Sequence, residues 1–241
     1  MGAKQKPGQR KQSIQAPTGS RVARCLWIID YGTQKQEYKG VAKDPAREIA
    51  FKFENVNDKH VFDEAKGPQP FTLLYPNFGG MKYTFSEYQG KKSKLWEMID
   101  SWRGREFSEE EKLEGLDMET MLKKPALVTV QAKPSKNNPA IKYSNITAIT
   151  NVPKEMGKVA PLTNEALFFE IGNMKNNQGM TQFEVFEKFP KFIQEKIALS
   201  PEWLAECVKH KYLPKTEGTA APATNEEDDD VMAPPDDADA F

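Results

Sequence analysis

The chain has 241 residues, with 34 Lys and Arg against 35 Asp and Glu, a net charge of −1, and 38% hydrophobic residues. Two widely spaced cysteines exclude a disulfide scaffold. No stretch approaches the roughly 18 consecutive apolar residues of a membrane span, and the first 20 residues lack a signal peptide's apolar core, so a soluble intracellular protein is expected.

The near-zero charge conceals a segregation. From Thr216 to Phe241 there are nine carboxylates and no Lys or Arg, which leaves residues 1–215 at +8. A basic body on an acidic tether points to a polyanionic partner, with the tail competing for the same surface.

Residues 1–19 carry Lys4, Lys6, Arg10 and Lys11 without an acid or an apolar period, and read as a flexible basic arm. Residues 20–152 read as the folded core. The first strand is predicted over 21–31 (RVARCLWIIDY), dense in β-branched and aromatic residues. In 47–54, Ile49, Phe51 and Phe53 alternate with Ala50, Lys52 and Glu54, the period of a half-buried strand. A third strand is predicted over 81–88 from Met81, Tyr83 and Phe85. Leu95, Ile99 and Trp102 then fall at helical spacing within 91–102. Strands at 126–132 and 141–150 close the core. Residues 153–165 read as a linker, and 166–214 as a largely helical extension in which Ser200 caps and Pro201 opens a helix. From 215 on, the composition is that of a disordered acidic tail.

Five strands with a helix between the third and fourth is the order of an OB-fold, a partly open five-stranded Greek-key barrel. The fold class expected is therefore mainly β: an OB-fold barrel with a C-terminal helical extension. In that topology the loops joining strands 1–2 and 4–5 flank the ligand; here they would be 32–46 and 133–140. The first holds Lys35, Tyr38, Lys39 and Lys43, and the second Lys133 and Lys136. Surface loops are often rich in Lys, but these cations fall where the topology would seat a ligand.

The segments IIDYGTQKQEYKG, DSWRGREFSEEE, ALVTVQAKPSKNNPAIKYSNITAI and FIQEKIALSPEW resemble a group of phage and prophage single-stranded DNA-binding proteins built on an OB-fold, over roughly residues 20–208. The ending Asp236-Asp237-Ala238-Asp239-Ala240-Phe241 is similar to the acidic, Phe-terminated tails of bacterial and T7-type single-stranded DNA-binding proteins. The closing tripeptide Asp-Ala-Phe departs from the bacterial ending. The resemblance implies a non-enzymatic, sequence-tolerant protein that protects single-stranded DNA in phage replication or recombination, in the cytoplasm of the infected host. Asp236, Asp237, Asp239 and Phe241 would recruit replication or recombination proteins.

Single-stranded DNA runs its phosphates along a basic groove and stacks its bases on aromatic faces. The candidate contacts are Tyr31, Lys35, Tyr38, Lys39, Arg47, Lys52, Lys82, Tyr83, Lys133, Lys136, Lys142 and Tyr143. Phe51 and Phe53 read as core, since apolar rings on an alternating strand face inward. Core is also the safer reading for Trp27, and Trp96 and Trp102 read as packing residues.

Enzymatic readings are weak. Gly90-Lys91-Lys92-Ser93 has Phe85 where a phosphate-binding loop needs its first Gly. Cys207 and His210 are two ligands without a third, so no metal or other cofactor is expected. Phe183, Phe186, Ile193 and Ile197 trace a stripe in the extension that either packs on the barrel or serves partner binding and self-association. The alternative function is an OB-fold adaptor of a phage replisome.

Overall fold

The computed structural model describes residues 14–77, 79–135, 139 and 141–213. It is mainly β. Two 20-residue strands, β1 (Gly19–Tyr38) and β2 (Val41–His60), form a long antiparallel hairpin, followed by β3 (Gln69–Tyr75). After two short pairings, β4 (Met81–Lys82) against β2 and β5 (Glu87–Tyr88) against β6 (Lys91–Lys92), come α1 (Lys94–Arg103) and α2 (Glu109–Glu114). Strands β7 (Pro125–Pro134) and β8 (Lys142–Thr150) complete a sheet of order β3-β2-β1-β7-β8. The sheet does not close. Its end strands are bridged near one point, where Asn77 Nδ2 donates to Ser144 O at 3.2 Å.

Two expectations need correction. The third long strand is β3 at 69–75, not 81–88. Met81, Tyr83 and Phe85 do turn toward the core, but only 81–82 ladders onto β2, and 87–88 turns back on 91–92. Side-chain alternation reports which face is buried, not whether the backbone is paired. The expected loop at 32–46 is instead the end of the β1–β2 hairpin, paired down to Tyr38↔Val41. Its two-residue turn, Lys39-Gly40, has φ of 52° and 77°, the left-handed pair that matches the right-handed twist of the flanking strands.

Strand β1 feeds two cores. Ala23, Cys25 and Ile28 join Phe51, Phe53, Val128 and Ile149 in a first core on one face of the sheet, which α1 covers with Leu95, Ile99 and Trp102. Ser93 caps α1 at its start and Gly104, left-handed, ends it. Ile29, Tyr31 and Ala50 face the other way, into a second core closed by the extension: β9 (Leu167–Phe169), α3 (Gln182–Glu187), α4 (Lys191–Ala198) and α5 (Pro201–His210). Strand β9 pairs in parallel with Trp27–Ile29, covering the part of β1's edge that β7, paired only with 19–24, leaves open. Phe186 stacks on Trp203 at 4.6 Å between centroids, and Val185, Ile193 and Ile197 are buried beside them. The stripe in the extension thus packs on the sheet.

The two cores are locked at Asp30 and Gly32. Buried Asp30 accepts a two-pronged ion pair from Arg47 on β2, and backbone N–H bonds from Gly32 (2.9 Å) and Ile171 (3.0 Å). At Gly32, with φ +66°, a Cβ would lie 2.1 Å from Ser200 Oγ. Only a glycine lets the start of α5 approach the strand this closely.

Candidate functional site

Where the open edge of the sheet meets the extension there is a cleft of about 700 Å³. Its floor is Trp27 and Lys52, one wall is β3 from Gln69 to Leu74, and the other is Tyr143 and Ser144 of β8 with Ile14–Ala16. Glu165, Leu167, Lys188 and Phe192 contribute from the extension, and Phe62 from the loop after β2. The wall at 14–16 is stitched in place: Ala16 N donates to Ser144 Oγ at 2.9 Å, and Gln15 Nε2 bonds Lys142 O.

Strand alternation explains the floor. Phe51 and Phe53 point into the first core, so Lys52 between them points to the opposite face of the sheet. Its Nζ lies 3.7 Å from the Trp27 ring centroid, a cation–π contact. Among the described residues no carboxylate pairs with this ammonium. Burial, only partly offset by Glu54, lowers it from the usual 10.5 to about 8. Trp27 is fixed on two sides: Nε1 donates to Glu165 O at 3.3 Å, and Phe189 meets the ring edge-on at 5.3 Å. Across the rim, Lys188 pairs with Glu165. Phe62 and Phe192 remain 47% and 57% exposed. Phe62 belongs to a cluster with His60 and Phe71, whose centroids lie 5.1 and 5.2 Å from it.

The candidates read from the sequence divide. Lys52 and Tyr143 line the cleft. Lys133 and Lys142 are exposed on the adjoining β7–β8 hairpin, where Lys133 pairs with Tyr143 in register. Lys35, Tyr38 and Lys39 sit on the β1–β2 hairpin, with the Lys39 and Lys43 ammoniums 5.2 and 4.5 Å from the Tyr38 ring. Lys82 is exposed opposite Glu48.

Three candidates have other partners. Tyr31 is 1% exposed inside the second core, under the Lys196 ammonium, and burial pushes its phenol well up. Arg47 is committed to Asp30, whose hydrogen bond raises the guanidinium further, and it lies over Tyr83. Tyr83 is half-buried against the first core. Lys136, Asp236, Asp237, Asp239 and Phe241 lie outside the described residues.

Trp27, Phe62 and Phe192 were not among the candidates. Trp27 carried one available signal: it shares a face parity with Tyr31 next to a strand whose Lys breaks an apolar run. Phe62 lies on a loop and Phe192 on a helix of the extension outside its apolar stripe, so neither carried a signal. Among the described residues no group of three or more His, Cys, Asp or Glu is placed to hold a metal, and no helix is long and apolar enough to cross a membrane.

No protein family, curated protein or solved structure matches this chain.

Proposed function

We propose that the protein binds single-stranded nucleic acid, as a sequence-tolerant single-stranded DNA-binding protein of phage type, and that its sheet is a partly open OB barrel. The strand order supports the fold: β1, β2 and β3 form a meander, β1 also pairs β7, β8 runs beside β7, and helices lie between β3 and β7. The observation that carries the function is the cleft, in which an ammonium with no carboxylate partner among the described residues lies over the Trp27 ring, with Phe62, Tyr143 and Phe192 lining the same cleft. Unpaired bases offer flat apolar faces to such rings while their phosphates seek cations, and neither contact depends on base identity. A duplex, with its bases stacked inside, offers no comparable partner.

The acidic tail would compete for these cations at an effective concentration in the millimolar range for a short tether. The test is titration with fluorescent oligo-dT at two ionic strengths, with and without residues 216–241. Log K is expected to fall with log salt at a slope of about −2 to −3, for three or four phosphate contacts at roughly −0.7 each. Removing the tail should tighten binding at low salt and steepen that slope. A flat salt response, or equal affinity for duplex, would overturn the reading and favour a protein-binding adaptor.

A further inference from the structure

The contact between Lys52 and Trp27 is an odd one to find on the floor of an open cleft. The indole is rigid, held by its Nε1 bond to Glu165 O and by Phe189 against its edge. The lysine is a long flexible side chain whose burial is only partly offset by Glu54, with no carboxylate ion-paired to it among the described residues. Where a ring is fixed and its cover is mobile and costly to keep dry, a better partner for the cover exposes the ring.

From this we infer that Lys52 is a removable lid on a base-stacking face: a nucleotide exchanges with it, the ammonium swinging onto the incoming phosphate and the base taking its place on Trp27. The inference rests on the nucleic-acid reading above and gives Trp27, not Tyr31 or Tyr83, the central stacking role. No covalent bond changes. Two contacts replace one, because a phosphate satisfies the ammonium better than a ring does, and a base covers the indole with more surface than an ammonium does.

The other titratable groups lining the cleft are Glu165 before β9, Lys188 at the end of α3 and Tyr143 on β8, with Glu54 two residues along β2. Glu165 is already held by Lys188, so the ammonium that a phosphate can recruit at the floor is that of Lys52. Its lowered proton affinity makes the exchange visible. Above pH 8 the free protein carries Lys52 largely neutral, whereas a bound phosphate draws the proton back.

The experiment uses the full chain labelled with 5-fluorotryptophan. Trp96, Trp102 and Trp203 are at most 8% exposed and Trp27 is half-buried, so a soluble paramagnetic quencher picks out the Trp27 fluorine signal without any substitution. Oligo-dT should move that signal and protect it from the quencher, leaving the other three in place. At pH 9, calorimetry in two buffers of different ionisation enthalpy should show uptake of most of one proton on binding, and none for Lys52→Met. Binding by anisotropy with an unmoved Trp27 signal would sink the exchange while leaving the nucleic-acid reading intact. So would a moved signal without proton uptake, or equal uptake by Lys52→Met. No binding of oligo-dT at any salt would overturn both.

Discussion

Replacing Asp30 with alanine is expected to destabilise the protein by about 3–4 kcal/mol, the largest effect of any single polar substitution considered. The carboxylate is 1% exposed and serves three elements at once: Arg47 of β2, the Gly32 N–H of its own strand and the Ile171 N–H of the extension. Alanine leaves unmatched one buried donor, the Gly32 N–H, and one part-buried donor, the Ile171 N–H, at about 1–3 kcal/mol for a buried group and less for the other. It also leaves a guanidinium without its fork partner; since the Arg47 side chain is 41% exposed, water recovers part of that loss. For a domain of this size the midpoint of thermal unfolding should fall by roughly 6–16 °C. Asp30→Asn, which keeps one acceptor, should fall less. A melt unchanged within 2 °C would show that the ion pair is not a lock between the cores.

The second large effect has the opposite sign. Lys52→Met should stabilise the protein at pH 7 while weakening its grip on oligo-dT. Burial lowers the ammonium from 10.5 to about 8, so the folded state binds the proton less tightly than the unfolded state does. Stability therefore rises with pH between about 8 and 10.5, as the unfolded chain alone still holds the proton there, and the penalty is complete below 8. Two and a half units correspond to a ceiling of about 3 kcal/mol. Methionine keeps the length of the side chain and removes that penalty, so denaturant midpoints should differ most at pH 7 and converge near pH 10.5. Binding of oligo-dT should weaken about tenfold for loss of one charge-assisted contact. A variant both less stable and equally tight in binding would contradict both halves of this expectation. Under the proposed function, the stability that Lys52 costs is offset by its contact with the ligand.

Much of the architecture is legible in the residues. Regular alternation marks β2, helical spacing marks α1, and Ser200-Pro201 marks the start of α5, because each signal is local. Strand β3 is not legible: QPFTLLY has apolar neighbours instead of alternating ones, as suits a strand half-buried on both faces, with Leu73 against the first core and Leu74 against the second. Nor is β9, three apolar residues that owe their strand state to the vacant edge of β1. The hairpin at 32–46 reads as a loop because its residues are polar, yet Lys39-Gly40 is a good two-residue turn. For the site, Lys52 is legible from parity. Trp27 shares parity with Tyr31, but parity does not separate the two, since an indole half-covered by a lysine from the neighbouring strand carries the same composition as one in a core. Arg47 shows the reverse error, a cation in the right region already engaged by a carboxylate 17 residues earlier.

The sharing of β1 between two cores bears on how the molecule can be cut. Ile29, Tyr31 and Ala50 lie on the sheet face opposite Ile28, Phe51 and Phe53, and among the described residues it is mainly the extension that shields them. A fragment ending at residue 165 would present that greasy surface to water and clump, so its sedimentation would report a wound in the architecture and say nothing of any natural tendency to self-associate. Heat should find no halfway house either: a calorimeter is expected to record one endotherm for the whole body, sheet and helices melting as a single block.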